Sequence, residues 1–163
     1  MHEEQIRVLK VMNEATGHLD FTEFANMAGL PPNEAMVALR ELAKSGHLRK
    51  VDGGYGLTDA GKATLRALVP VPAGTDFKFY FEIGKPAEDC ASTPFEFFEI
   101  IQRIDATSLE FHMFRNDFEN WAREVLNNSN FAEQLASIDE TTMSGGALRD
   151  AVVKAFELAY NLP

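Results

Sequence analysis

Residues 32–55, PNEAMVALRELAKSGHLRKVDGGY, read as a packed helix followed by a two-stranded hairpin. Ala35, Ala38, Leu39 and Leu42 recur at the i, i+3, i+4, i+7 spacing that puts apolar side chains on one helical face. That face packs on a core, and the opposite one is available for binding. Ser45-Gly46 marks the stop of the helix. Leu48-Arg49-Lys50-Val51 then runs into Asp52-Gly53-Gly54, where glycine supplies the positive φ of a tight turn, and Tyr55-Gly56-Leu57 returns as the second strand.

Upstream, Ile6, Leu9, Val11 and Met12 sit among Glu, Arg, Lys and Asn, giving an amphipathic helix from Glu3 to Ala15 that ends near Thr16-Gly17. Gly17-His18-Leu19-Asp20-Phe21 is a short connection. Thr22 starts a second helix, either as its N-cap or just inside an Asp20 cap; the helix carries Phe24, Ala25 and Ala28 and stops at Gly29. Leu30-Pro31-Pro32 leads into the third helix, with proline suited to the first turn.

Helix, helix, short turn, helix, hairpin is the helix-turn-helix order with a wing added. On the string FTEFANMAGLPPNEAMVALRELAKSGHLRKVDGGYGLTDAGKATLRAL, residues 3 to 68 resemble the winged helix-turn-helix domain of bacterial and archaeal transcriptional regulators. Leu57-Thr58-Asp59-Ala60-Gly61-Lys62 is similar to the L-T-x-x-G step from the wing into the last helix of that domain.

The resemblance implies that the third helix enters a DNA major groove, with Asn33, Glu34, Met36, Val37 and Arg40 facing outward. Asn33 and Arg40 offer the donors that base edges and phosphates demand, whereas Glu34 repels phosphate and Met36 and Val37 offer apolar contact only. Basic residues cluster instead at the helix end and hairpin: Lys44, His47, Arg49 and Lys50, with Lys62 and Arg66 beyond them. The expected DNA-binding residues are Asn33, Arg40, Lys44, Arg49 and Lys50. Met36 and Val37 equally suit a protein partner, since winged helices also serve as interaction modules.

Charge is shared unevenly along the 163 residues. The formal net charge is -10, yet residues 1–70 carry 8 Lys and Arg against 9 Asp and Glu, and residues 71–163 carry 7 against 16. The acidic second part repels phosphate, so any contact with nucleic acid falls to the first. An apolar content of 45% supports a real core, and the length suits two small domains. The single cysteine, Cys90, excludes an intrachain disulfide and fits a reducing cytoplasm. Met1-His2-Glu3-Glu4 lacks the basic start of a signal peptide, and no run reaches the ~18 apolar residues of a membrane span. A cytoplasmic location is expected.

Val69-Pro70-Val71-Pro72-Ala73-Gly74-Thr75-Asp76 has no helical period and reads as a linker. The expected domains are residues 1–69, a linker 70–76 and a helical domain 77–163. In the latter, Phe77, Phe79, Phe81 and Ile83 alternate with Lys78, Tyr80 and Glu82, the period of a half-buried extended segment. No partner strand is evident downstream of Ile83. Three covers are open to this face: the helices, the wing, or a second copy of the chain.

The remainder is helical. Ser92-Thr93-Pro94 caps a helix whose stripe is Phe95, Phe98, Ile101 and Ile104; Asp105 or Thr107 caps the next. Asn116-Asp117-Phe118-Glu119 has capping-box spacing for a new or re-aimed helix to Leu126. Asn127 to Asn130 is a turn, Phe131 to Ile138 a short helix, Thr141 to Gly146 a loop, and Ala147 to Tyr160 the last helix.

Ser108, His112 and Arg115 fall on one helical face, with Asp117 just past the bend. Residues 77–160 resemble an uncharacterised prokaryotic domain of unknown function with the pattern S-L-x-x-H-x-x-R-x-D-F-x-x-W. A histidine with a carboxylate and a serine invites a nucleophile–base reading. Against it, a base and a nucleophile one turn apart on one helix point poorly at a common reacting atom. No phosphate loop and no metal-ligand spacing accompanies them. Two readings remain for the four residues: a pocket for a small ligand, or a polar network tying helices together.

The expectation is a mainly α protein, an N-terminal winged helix-turn-helix plus a small helical bundle with one extended segment. It is a non-enzymatic regulator without cofactor or metal, binding duplex DNA and forming a homodimer. The alternative is a protein-interaction adaptor with no DNA binding.

Overall fold

The computed structural model describes residues 1–15 and 20–162. It is mainly helical, with two small antiparallel sheets. The chain divides into two units, Met1–Arg66 together with Asn161 and Leu162, and Ala67–Tyr160. No helix among the described residues is long and apolar enough to cross a membrane.

The first unit contains α1 (Glu3–Glu14), α2 (Phe21–Ala28), α3 (Pro32–Lys44), β1 (Leu48–Val51), β2 (Gly54–Leu57) and α4 (Asp59–Ala67). The expected α3 stripe, Ala35, Ala38, Leu39 and Leu42, is buried against Val8, Leu9 and Val11 of α1 and Phe24, Ala25 and Ala28 of α2. Of the two N-cap readings for α2 the Asp20 one holds, because its Oδ1 accepts from Glu23 N–H at 2.9 Å. The stop at Thr16-Gly17 and the connecting Gly17-His18-Leu19 lie outside the described residues. β1 and β2 pair antiparallel from Leu48↔Leu57 to Val51↔Gly54, leaving Asp52-Gly53 as the turn.

The L-T-x-x-G step has a steric basis. Thr58 N–H donates to His47 O at 3.1 Å, and Thr58 Oγ1 accepts from Gly61 N–H at 3.1 Å, closing the first turn of α4 on the start of β1. A Cβ on Gly61 would lie 2.3 Å from the His47 carbonyl oxygen, a backbone atom that cannot swing aside. Gly61→Ala is therefore expected to destabilise the protein by roughly 2–3 kcal/mol, as overpacking does. Gly54→Ala, with nothing within 4 Å of the new methyl, should leave the thermal midpoint nearly unchanged.

His47 departs from its expected place among the exposed cations. It is buried, with Ser45 Oγ 2.7 Å from its Nδ1 and the Asn161 carbonyl 3.0 Å from its Nε2. A carbonyl only accepts, so Nε2 carries the proton.

The second unit contains β3 (Phe77–Glu82), β4 (Lys85–Ala91), α5 (Pro94–Ile101), α6 (Ala106–Phe114), α7 (Asp117–Glu124), α8 (Ser129–Ala136) and α9 (Gly145–Tyr160). The extended segment does have a partner, contrary to expectation: β3 pairs with β4 around Ile83-Gly84, with Gly84 at φ 80 in the turn position that asks for glycine. KPAEDCA carries no alternating apolar side chains, and Pro86 with its charges suits an edge strand rather than a central one.

The register shifts twice, between Lys78 and Tyr80 and between Tyr80 and Glu82. Such irregularities break the simple in-and-out alternation. Phe77 and Phe79 are buried, whereas Phe81 is 38% and Ile83 80% exposed, so the uniform four-residue apolar face does not form.

Residues 70–76, read as a linker, are tied to the second unit. Val71 N–H donates to Ser92 O at 2.8 Å, and Trp121 Nε1 donates to Thr75 O at 2.8 Å. Thr93 caps α5 by accepting from Glu96 N–H at 3.0 Å. Of the expected stripe, Phe98, Ile101 and Ile104 are buried and Phe95 half-buried, while Phe97, outside it, is the most buried ring of α5. Phe97 lies 4.9 Å from Phe77, 5.1 Å from Phe79, 5.0 Å from Phe118, 5.1 Å from Trp121 and 5.0 Å from Phe156. This aromatic cluster is the core from which the neighbouring polar site is built.

Candidate functional site

α6 starts at its Asp105 cap, whose carboxylate accepts from Thr107 N–H at 2.8 Å, and runs to Phe114. Arg115 ends it and Asn116 turns left-handed at φ 61, so the chain reverses at once into α7. Asn116 makes no side-chain cap, and Glu119 instead pairs with Arg123 at 3.0 Å, so the expected capping box is absent. The reversal brings Asp117 back over the end of α6.

Asp117 Oδ2 lies 2.8 Å from His112 Nδ1 and 3.3 Å from Arg115 Nε. On the other side of the ring, Tyr80 N–H of β3 donates to His112 Nε2 at 2.8 Å. An amide N–H has no acceptor capacity, so Nε2 is unprotonated and Nδ1–H donates to the carboxylate. His112 is 2% exposed, among Phe77, Phe79 and Phe118. Burial lowers its pKa below 6.5, an effect that Asp117 opposes, and the resulting neutral ring agrees with this bonding. The imidazole also occupies a backbone N–H of β3 that would otherwise face out from the strand.

Three of the four singled-out residues are therefore connected, and Ser108 is not. Ser108 is fully buried and its Oγ has no hydrogen-bond partner among the described residues. The His112 nitrogen needed to take a proton from a hydroxyl is held by Tyr80, and the other already faces Asp117. The observed linkage is Tyr80 N–H to His112 to Asp117 to Arg115, from strand to helix to helix. Among the described residues no group of three or more His, Cys, Asp and Glu side chains is placed to hold a metal ion.

This network forms one wall of a cleft of about 550 Å³ between the hairpin and the α6–α7 corner. Tyr80, Ile83, Phe111 and Val125 supply its apolar lining, and Lys78, Arg115 and Asn120 its hydrogen-bond donors. Two participants escape the sequence reading. Tyr80 contributes only a main-chain group, which no side-chain pattern signals. Phe111 carries the Arg115 guanidinium 5.1 Å above its ring centroid, and the i, i+4 spacing of the pair is the signal that could have shown it.

In the first unit, Asn33, Arg40 and Lys44 are exposed on α3 and Arg49 and Lys50 on β1. Successive strand residues point to opposite faces, so Arg49 and Lys50 project on the two sides of the hairpin rather than as one cluster. Glu34 and Val37 are exposed on α3, and Met36 is half-buried.

Residues 68–157 match a family model described as a family of unknown function, DUF5752; this segment contains the whole S-L-x-x-H-x-x-R-x-D-F-x-x-W stretch. No helix-turn-helix family model matches the first unit. No curated protein and no solved structure matches the chain. The family match covers more than half of the sequence, and the chain belongs to the family of unknown function DUF5752.

Proposed function

We propose that the protein is a DNA-binding transcriptional regulator whose first unit is a winged helix-turn-helix and whose second unit senses a ligand or pairs two copies. The observation that carries this reading is the set of cations Arg40, Lys44, Arg49, Lys50, Lys62 and Arg66. All six are exposed, and none is ion-paired among the described residues. They sit on α3, β1 and α4 in a unit whose element order, α1-α2-α3-β1-β2-α4, is that of a winged helix. Arg49 and Lys50, facing opposite ways, would reach phosphates on both sides of a groove holding the hairpin. With Glu34 and Val37 on α3, base readout is weak and phosphate contact dominates.

Fluorescence anisotropy with a labelled duplex tests this. Affinity should fall steeply with salt, and the Arg49→Glu/Lys50→Glu variant should bind roughly 10- to 100-fold less tightly with a salt slope shallower by about 1–2. Absence of any salt-dependent binding at low ionic strength would sink the proposal.

A second reading, a protein-interaction adaptor, draws on Val37, which is 52% exposed in the middle of α3. It expects no DNA shift but a stable protein partner in pull-down, released by Val37→Asp.

A further inference from the structure

The Arg115 guanidinium in the cleft of the second unit is held at two points and left open at the others. Its Nε faces Asp117 Oδ2 at 3.3 Å, and its Cζ stands 5.1 Å from the Phe111 ring centroid. Nη1 and Nη2 make no hydrogen bond among the described residues. A guanidinium that lies over an aromatic ring beside a carboxylate, its side chain 46% exposed, can present its Nη groups for bidentate capture of an oxyanion. Lys78, exposed on β3, lines the same cleft and has no ion-pair partner within 4.0 Å among the described residues.

The remaining lining restricts the ligand. Tyr80 and Phe111 offer aromatic surface, Ile83 and Val125 aliphatic surface, and a volume of about 550 Å³ suits a small ring compound. Asp76, Asp117 and Glu124 also line the cleft. A dianion such as a phosphate monoester doubles both its attraction to Lys78 and Arg115 and its repulsion from these three carboxylates, and with carboxylates outnumbering cations in the lining the second charge meets net repulsion. The cleft therefore favours a single negative charge.

We propose that this cleft binds a small monocarboxylate with a planar apolar body. Arg115 Nη1 and Nη2 receive the carboxylate, Lys78 supplies the second cation, and Tyr80 and Phe111 contact the ring. The site rests on and deepens the sensing role proposed for the second unit. Its test uses the full chain without DNA, so the two proposals fail separately.

The experiment is titration of the ¹⁵N-labelled full chain with benzoate, benzyl alcohol and phenyl phosphate, followed by amide shifts at Tyr80, Arg115 and Asn120. Benzoate should give saturable shifts there, with benzyl alcohol at least about tenfold weaker because it leaves the guanidinium unpaired. Phenyl phosphate should bind less tightly than benzoate. Arg115→Lys, which keeps the charge and loses the fork, should weaken benzoate about tenfold, and Arg115→Gln should abolish its binding. Lys78→Ala, at an exposed position, should weaken it several-fold and keeps the test readable if the Arg115 variants misfold. The proposal is overturned by any one of four results: no benzoate shifts in the cleft, equal binding of benzyl alcohol, tighter binding of phenyl phosphate, or benzoate binding unaltered in a folded Arg115→Gln or in Lys78→Ala.

Discussion

Replacing His112 with alanine is expected to lower the unfolding free energy by about 3–4 kcal/mol, the cost of a buried ring's cavity plus a stranded amide. The ring fills space beside Phe77, Phe79 and Phe118, and it is the acceptor for Tyr80 N–H at 2.8 Å. Its loss leaves that N–H without its partner, and Asp117 facing Arg115 alone. Asp117→Asn keeps an oxygen acceptor of the same shape, so it should cost about 1–2 kcal/mol, the extra strength of a hydrogen bond to a charged group. Urea denaturation followed by Trp121, the only tryptophan in the chain, measures both. A His112→Ala midpoint equal to wild type would show that the network carries no stability.

The same ring makes stability depend on pH in one direction. His112 is held neutral in the folded state, with its pKa lowered from 6.5 chiefly by burial, whereas the unfolded chain titrates near the ordinary value. Below that value the unfolded state binds the extra proton first, and each such proton favours unfolding. The His112 contribution is therefore complete above 6.5 and declines as pH falls below it, levelling off once the folded ring is also protonated. Comparing wild type with His112→Gln at pH values on either side isolates this component, since the other titrating groups are common to both. An identical acid limb in the two proteins would contradict the assignment of a neutral ring.

Phe97→Ala should cost about 3–5 kcal/mol, the range for emptying a large aromatic site in a packed core. Phe97 is 1% exposed and meets rings from β3, α7 and α9. The wall it shares with Trp121 is nearly parallel, at 5.1 Å and 18°. The substitution should therefore shift Trp121 emission in the folded state as well as lowering the denaturation midpoint. Phe97→Leu, which keeps most of the volume, should cost less than about 1.5 kcal/mol. If Phe95→Ala, half-buried on the same helix, proves as damaging as Phe97→Ala, the core is centred elsewhere.

Helix ends are the best-read features of this sequence, because a cap is a short-range chemical event. Asp20, Thr93 and Asp105 each accept from a backbone N–H two or three residues on, and the residues involved lie side by side in the chain. The candidate site is legible by halves. His112, Arg115 and Asp117 are close in sequence and can be grouped by helical spacing. Ser108 shares that spacing but does not join, because a shared helical face does not by itself make a hydrogen bond. Tyr80 joins through its main chain and is invisible to any side-chain pattern.

β4 shows the opposite case. KPAEDCA has little intrinsic preference for a strand, and it is extended because Phe77 and Phe79 are pinned in the aromatic core and offer it a ladder. His47 is similar: basic and next to Arg49 and Lys50 in sequence, it is taken inside by the Asn161 carbonyl, a residue 114 positions away.

By itself the sequence determined the run of helices, the Thr93 cap and a pair of candidates for each of the Asp20 and Asp105 caps, the β1–β2 turn and the division into a near-neutral first part and an acidic second part. Each of these depends on neighbours within about one helical turn or on a sum of charges. Only the tertiary structure decided which ring centres the second core, that β3 has a partner, and that His47 is buried. It alone showed that both nitrogens of His112 are occupied while the Nη groups of Arg115 make no hydrogen bond among the described residues. Those outcomes rest on groups far apart in the chain competing for the same space and the same hydrogen bonds, and no local pattern encodes the winner.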